Sequence, residues 1–501
     1  MKRIGIGTAD GQMRIALLEQ SRLAEWRTRS ESGEPRIGAI YLGKVARVVP
    51  GIQSAFLDIG TDEHAFLYVD EAAPPKQRGA EERSISHFVR EGETLLVQVI
   101  KEATESKAPR LTTQISLQGR LLVYLPPEGN GAGAEPVSLS RKIRDPQKRA
   151  ELQAVMLGLL ADGEGVVVRT EAAEADREQL QQEWMFLRER WQQILLAARG
   201  KRTPGPVWQG DDVIESALRD FLSADVAEVV VEDAGLYQET RRLMQALFPE
   251  SLAKLRWHRE REPLFWQWGI REQLMAALHR EVPLPGGGNL VIERTEALTV
   301  IDVNTGAFQG RGGQQREQAV TLANVEAARE IARQLRLRDI GGIVLIDFIN
   351  MRESANRERV LQALRTSLAD DPVPAAVIGM TPLGLVEVTR KRTGASLAER
   401  MTETCSCCAG SGRLLHSAVH FQHLREDLAA VVRTQEAEAA LVELSRRLYE
   451  KWQSGQAPVE GWPLHLHVLP GEELAGDRYR ILYAGRAEEA ERLYLTRTKK
   501  P

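Results

Sequence analysis

Two short apolar runs, each ending on an aspartate and joined by about two dozen residues of helical pattern, constrain this chain more than any other feature. The first is Leu298-Thr299-Val300-Ile301-Asp302-Val303-Asn304 and the second Ile343-Val344-Leu345-Ile346-Asp347-Phe348. Continuous β-branched runs without polar alternation belong to strands covered on both faces, so both are expected to be fully buried. Between them Gln315 to Leu337 carries Ala328, Ile331, Ala332 and Leu335 at helical spacing, and Gly341-Gly342 is the expected stop. The result is a βαβ unit, whose crossover makes the two strands parallel and close neighbours. Parallel strands end on one edge, so Asp302 and Asp347 can converge there. Asn304, two residues beyond Asp302, points to the same face. Two carboxylates and an amide oxygen at a sheet edge form a hard oxygen site suited to Mg²⁺.

A single aspartate at a strand end is commonly a cap or turn former. A pair on adjacent parallel strands is different, because two close carboxylates repel unless a cation or proton lies between them. A nucleotide triphosphatase would also place an acid at a strand end, but it needs G-x-x-x-x-G-K-[ST]. The nearest stretch, Gly200-Lys201-Arg202, has Leu195 in place of the first glycine.

At 501 residues the chain is too long for one core, and about three to five domains are expected. A hydrophobic content of 43% and a charged content of 27% are ordinary for a soluble globular protein. The start, Met1-Lys2-Arg3-Ile4-Gly5-Ile6-Gly7, lacks the apolar stretch of a signal peptide, and no run approaches a membrane span. Three cysteines argue against a disulfide framework and for a reducing cytoplasm. Net charge is −4, so any nucleic-acid binding must come from local patches. Arg333 to Arg338 (R-Q-L-R-L-R) and Thr389 to Thr393 (T-R-K-R-T) are the two candidates, against the commoner case of a solvated helix face.

Residues 2–30 read as β-hairpins, with Arg3–Ala9 and Gln12–Leu18 flanking an Asp10-Gly11 turn. Closely spaced short strands follow at Tyr41–Val49, Ser54–Ile59, Ala65–Val69 and Thr94–Ile100, the pattern of a small Greek-key barrel of OB type. Phe56 and Phe66 sit on consecutive strands, with Lys107 and Arg110 after them. Such aromatics either fill the core or stack single-stranded bases. The Gly-rich stretch Glu128–Glu135 is read as a boundary. Val166-Val167-Val168 is a strand running into Arg169-Thr170, either an ordinary surface arginine, the commoner case, or an arginine fork beside a hydroxyl that suits a terminal phosphate. The next helix has Leu180, Trp184, Leu187, Trp191, Ile194 and Leu195 on one stripe, and residues 201–210 form a linker. The tail carries one helical region, Glu426–Trp452, then strands at Leu464–Val468 and Tyr479–Tyr483.

Cys405 and Cys408 form C-x-x-C before Ala409-Gly410-Ser411-Gly412. This is half of a tetrahedral zinc site. The other two ligands come either from a second copy of the chain or from His416 and His420, and Cys407 is a spectator.

The block from Thr295-Glu296-Ala297-Leu298 through Ile301-Asp302-Val303-Asn304 to Asn324-Val325-Glu326-Ala327-Ala328 resembles the bacterial ribonuclease E/G family. So does Ile331-Ala332-Arg333-Gln334-Leu335-Arg336-Leu337-Arg338-Asp339-Ile340-Gly341-Gly342, leading into Ile346-Asp347-Phe348. With no long Arg- and Pro-rich extension, the chain is more similar to the shorter ribonuclease G branch. The resemblance implies an α/β multidomain architecture. An RNase H-like domain (1–38 and 211–280) is interrupted by an OB-fold RNA-binding insert (39–125) and a 5′-sensor region (126–210). A DNase I-like catalytic domain (281–400), a zinc link (401–414) and a small α+β dimerisation domain (415–501) follow.

By position, the resemblance implies that Asp302 and Asp347 hold Mg²⁺ and that Asn304 orients its water shell. Arg169 and Thr170 grip the 5′-monophosphate, and Phe56, Phe66 and Lys107 contact the single strand. Cys405 and Cys408 share one Zn²⁺ with the same pair of a second subunit, giving a homodimer able to pair into a homotetramer. The implied activity is Mg²⁺-dependent endonucleolytic cleavage of single-stranded RNA, leaving 5′-phosphate ends, in ribosomal RNA maturation and messenger RNA decay. Two stretches depart from the family. Asp371-Pro372-Val373-Pro374 lacks a cation that usually assists the phosphate sensor, and Ala108-Pro109-Arg110 replaces the usual glycine after Lys107. The rival reading is a non-catalytic RNA-binding or assembly protein whose acids only cap strands.

Overall fold

A computed structural model describes residues 1–28, 37–72, 84–101, 108–127, 136–210, 213–306, 313–408, 410–455, 461–471, 474 and 478–498, with backbone alone for 313–315. Lys107 and the Glu128–Glu135 stretch lie outside the described residues. The chain divides into two compact units, Met1–Arg400 and Met401–Pro501. No helix among the described residues is long and apolar enough to cross a membrane.

In the first unit, strands Lys2–Ala9, Gln12–Glu19 and Arg22–Thr28 form an antiparallel meander. Asp10 and Gly11, at φ 52° and 74°, make the first turn as their sequence requires. Val226–Val231 and Leu255–Trp257 add parallel strands to its other edge, so distant segments share one sheet. Ile40–Val49, Ser54–Asp58, Ala65–Tyr68, Arg110–Thr112 and Thr94–Lys101 pair in that order, and the last pairs back with the first. The sheet thus closes into a five-stranded barrel around Val45, Leu57, Leu67, Val97 and Leu111. The expected linker at 201–210 contains a strand instead: Gly205–Trp208 pairs with the start of the first barrel strand, which leaves those backbone groups bonded rather than solvated.

The sheet bearing the two aspartates has six strands, in the order Glu281–Pro283, Asn289–Arg294, Leu298–Asn304, Gly342–Asp347, Leu385–Arg390, Ala375–Met380. Leu298–Asn304 and Gly342–Asp347 are parallel, as the crossover demands, and every other pairing is antiparallel. The crossover helix, Gly313–Leu337, packs with Ser354–Ala369 on one face only, over Ile301, Val303, Val344, Ile346, Val386 and Val388. Full burial is therefore not what these strands adopt. Burial alternates along them, and Val300 and Ile343 on the open face remain 37% and 51% exposed. The apolar run reports strand propensity on both faces, but helices cover just one. The helix also does not stop at the glycines: Asp339, at φ 48°, takes the left-handed position. Gly341 serves close approach instead, since a Cβ there would meet the Arg392 backbone at 2.8 Å.

In the second unit the expected single helix 426–452 is broken. Helices Ser417–Thr434 and Arg446–Gln453 flank a strand, Ala439–Ser445, at the centre of a three-stranded sheet between His465–Gly471 and Tyr479–Gly485. Ala, Leu and Glu favour helix locally, but two partner strands and burial of nearly the whole segment override that preference.

Candidate active site

Strand register alone brings the two acids together. Asp302 and Asp347 are Cα partners on the parallel pair, so both side chains leave the same face of strands about 4.8 Å apart. Both residues are exposed. Among the described residues neither carboxylate joins an ion pair. Asn304 Nδ2 donates to Asp302 Oδ2 at 2.8 Å, which leaves the amide oxygen for a metal's water shell. Two adjacent uncompensated carboxylates with an amide oxygen fit a small hard cation. No three His, Cys, Asp or Glu side chains converge among the described residues, so the protein would supply only two acids and water the rest.

Second contacts hold this rim in place. Asn324, fully buried on the crossover helix, clamps the chain just beyond Asp347: its Nδ2 donates to Ile349 O (2.8 Å) and its Oδ1 accepts from Ile349 N (3.1 Å). Glu317 accepts from the backbone N–H groups of Arg352 and Glu353, which holds its carboxyl below the usual range. Glu326 accepts from Gly286 N, fixing the Pro285–Gly288 turn over the end of the Asp302 strand. A Cβ on Gly288 would fall 2.3 Å from Asn304 O, so the turn and the strand end require that glycine.

The Arg333–Arg338 cluster does not face nucleic acid. Arg336 makes a bidentate pair with Glu19 (2.9 and 2.8 Å), Arg333 binds Glu330 and Leu23 O, and Arg338 Nε donates to Gln334. Arg336 and Arg338 are each only 8% exposed. Arg333 and Arg336 rivet the crossover helix to the N-terminal meander, whose Leu23 carbonyl and Glu19 carboxylate lie some 300 residues away in sequence. The second cluster splits. Arg390 is buried against Asp371 and Asp339, while Lys391 and Arg392 are exposed.

On the barrel, Phe56 and Phe66 are register partners, half-buried, with ring centroids 5.8 Å apart at 71°. Arg47 and Arg110 are the next register partners outward on either side, and Arg110 lies over the Tyr68 ring at 5.5 Å. Sequence reading did not include Arg47 or Tyr68; strand pairing alone puts them beside the phenylalanines. The result is an aromatic strip flanked by cations.

Arg169 and Thr170 do follow the strand Gly165–Val168, but they open a 3-10 turn, and the Arg177–Gly200 helix begins only after it, capped by Asp176. The phosphate would therefore meet side chains, not that helix's N-terminus. Arg169 Nη1 donates to Gly119 O (2.7 Å), its Nε lies 3.8 Å from Glu171, and its side chain is about one-third exposed. Thr170 Oγ1 is 3.0 Å from Ser140 Oγ, a second hydroxyl that sequence reading missed. Arg141 and Lys142 next to it are exposed. Beneath the turn that receives Arg169, burial pushes the Glu183 carboxyl up to about 7.

In the second unit, Cys405 and Cys408 bracket a turn in which Gly412 N points to Cys408 Sγ at 3.4 Å. The N–H groups of Cys408 and Cys407 hold the Cys405 thiol below its ordinary value. His416 stands at the N-cap position of the Ser417–Thr434 helix without a side-chain cap bond, and His420 lies in its first turn. Among the described residues these histidines do not join the cysteines in a metal-binding cluster.

A sheet with acids paired at its edge, a closed barrel and a separate C-terminal unit define a multidomain α/β protein with a candidate metal centre. The model of the ribonuclease E/G family matches residues 116–393, more than half the chain. Ribonuclease G of Haemophilus influenzae is 36% identical over 413 residues, covering 80% of this chain and 82% of that protein. Ribonuclease G of Escherichia coli K12 is 34% identical over 414 residues, covering 81% and 83%. Ribonuclease E of the same strain is 34% identical over 502 residues, covering 98% of this chain but 47% of that protein. The chain belongs to the ribonuclease E/G family.

Proposed function

We propose a metal-dependent mode of action for what is, by family, an endoribonuclease of RNA processing. Its substrate is single-stranded RNA, with preference for 5′-monophosphorylated ends, in ribosomal RNA precursors and messenger RNA. The observation that carries the reading is the in-register pairing of Asp302 and Asp347 on an exposed strand edge. These carboxylates would hold Mg²⁺, with Asn304 orienting its water. When bound, that ion polarises the scissile phosphate and lowers the pKa of its attacking water. The products carry 5′-phosphate and 3′-hydroxyl ends.

The remaining residues bind and orient the strand. Phe56 and Phe66 stack bases on the OB-type barrel, Arg47 and Arg110 neutralise flanking phosphates, and Lys107 adds a further contact. Arg169 and Thr170 take the terminal phosphate; the guanidinium supplies charge and the hydroxyl a donor. The stretch Asp371-Pro372-Val373-Pro374, where the family often has a cation, carries none, so the sensor relies on the Arg169 side. Affinity should fall with salt by about 0.7 log units per phosphate contact for each log unit of salt.

Cys405 and Cys408 would share Zn²⁺ with the same pair of a second subunit, in a dimer able to form a tetramer; three free cysteines suit a reducing cytoplasm. Zinc analysis and sizing of Cys405→Ser test this: unchanged zinc content and assembly would remove the link. For the active site, Asp302→Asn and Asp347→Asn should abolish cleavage of a 5′-monophosphorylated oligonucleotide while binding survives. Cleavage at the wild-type rate would return the acids to the role of strand caps.

A further inference from the structure

Glu183 is the one charged residue in the buried stripe of the Arg177–Gly200 helix, among Leu180, Trp184, Leu187, Trp191 and Ile194. It is 2% exposed. Its Oε1 accepts from two backbone donors, Leu121 N (2.8 Å) and Leu122 N (2.9 Å), in the turn between strands Leu117–Gln118 and Leu122–Leu125. The same turn is closed by Gly119 N donating to Leu122 O at 2.8 Å. The carboxylate lies so close under Gly119 that a Cβ there would fall 2.2 Å from Glu183 Oε1.

The turn holds Arg169 at both ends. Arg169 N donates to Leu121 O (2.8 Å) and Arg169 Nη1 donates to Gly119 O (2.7 Å). The two carbonyls that grip Arg169 therefore belong to the peptide segment whose N–H groups Glu183 holds. Without an acceptor at 183, the buried N–H groups of Leu121 and Leu122 lose their partner and the turn must move to find another. The other carboxylate oxygen, Oε2, is buried with no hydrogen bond, which costs free energy.

We propose that Glu183 is a positioning residue for Arg169, holding the Gly119–Leu122 turn so that the Gly119 carbonyl aims the guanidinium at a 5′-terminal phosphate. This rests on the 5′-end reading above. The guanidinium is thereby held at a fixed angle rather than left to search.

The test is a double-mutant cycle on the full chain, with matched oligonucleotides bearing a 5′-monophosphate or a 5′-hydroxyl. Glu183→Leu should lower the monophosphate-to-hydroxyl ratio of kcat/KM by about tenfold or more, the effect of misplacing one charge-assisted contact, and the loss should lie in KM. The 5′-hydroxyl substrate should be cut as before. On an Arg169→Ala background Glu183→Leu should lower the ratio no further, because it acts through the same side chain. Glu183→Gln, which keeps an oxygen acceptor, should restore most of the ratio. Gly119→Ala, which pushes the turn off the carboxylate, should reproduce the loss, and it serves if the leucine variant does not fold. An unchanged ratio in both Glu183→Leu and Gly119→Ala, equal losses on both substrates, or additive losses in the double variant would each overturn the proposal. If Arg169→Ala itself leaves the ratio unchanged, the 5′-end reading falls and takes this inference with it.

Discussion

The two ends of the crossover helix unit treat charge in opposite ways. At the strand edge, Asp302 and Asp347 stand side by side, exposed and without an ion pair among the described residues. Behind the same helix, Arg333, Arg336 and Arg390 are tied into carboxylates, and Arg338 is buried beside Gln334. Uncompensated like charge on an exposed rim costs little in water and attracts a cation. Buried charge is tolerable only when paired and hydrogen-bonded, and then it fixes one geometry. The rim is thus left open to a ligand while the rear is closed by the protein itself.

That contrast breaks down if the rim acids prove structural. Asp302→Asn or Asp347→Asn should lower the cleavage rate by about a thousandfold or more, the scale of several kcal/mol of lost charge stabilisation. Thermal unfolding should stay unchanged or rise slightly as like-charge repulsion is relieved. A large drop in Tm would place the rim with the rear network. Arg390→Met should do the reverse. It leaves Asp371 buried and unpaired and should cost about 3–5 kcal/mol in denaturant unfolding, with the folded fraction cleaving normally.

Smaller effects sharpen the comparison on the barrel. Phe56→Ala or Phe66→Ala should weaken single-strand binding by about 1–3 kcal/mol in fluorescence titration, with little loss of stability if the rings serve stacking rather than the core. A matching loss of stability would assign them to the core. A last effect concerns Glu25, on the Arg22–Thr28 strand facing Arg27, Arg336, Asp371 and Arg390. Burial pushes its carboxyl up to about 7 from 4.5. The folded state keeps this proton over a range where the unfolded chain releases it. Its contribution is therefore full below about pH 4.5 and is lost as pH rises through 7. Glu25→Gln should gain in Tm relative to wild type between pH 5 and 8, and a constant difference would mean that Glu25 does not titrate there.

Much of the acidic rim was legible because its geometry is local. Asp302, Asn304 and Asp347 are related by strand periodicity and one crossover, and both rules act within some 50 residues. The interruption at Ala439–Ser445 was not legible, since residues that favour helix are held as a strand by two partners on either side. Nor were the roles of the arginines: R-Q-L-R-L-R reads as a basic patch until Glu19 and Leu23 arrive from the other end of the chain. Glu183 did leave a trace, a glutamate set into an apolar stripe at helical spacing. That trace says a buried partner exists without saying which.

From its residue order alone this protein has a crossover unit with acids at one edge, a barrel of short strands, a cysteine pair and membership in a nuclease family. Only the tertiary structure decided which face of the acid-bearing sheet stays open, which arginines are spent on carboxylates and which stay exposed. Periodicity and turn chemistry are properties of neighbouring residues, whereas the compensation of a charge depends on whatever the fold delivers to it, here from more than 300 positions away.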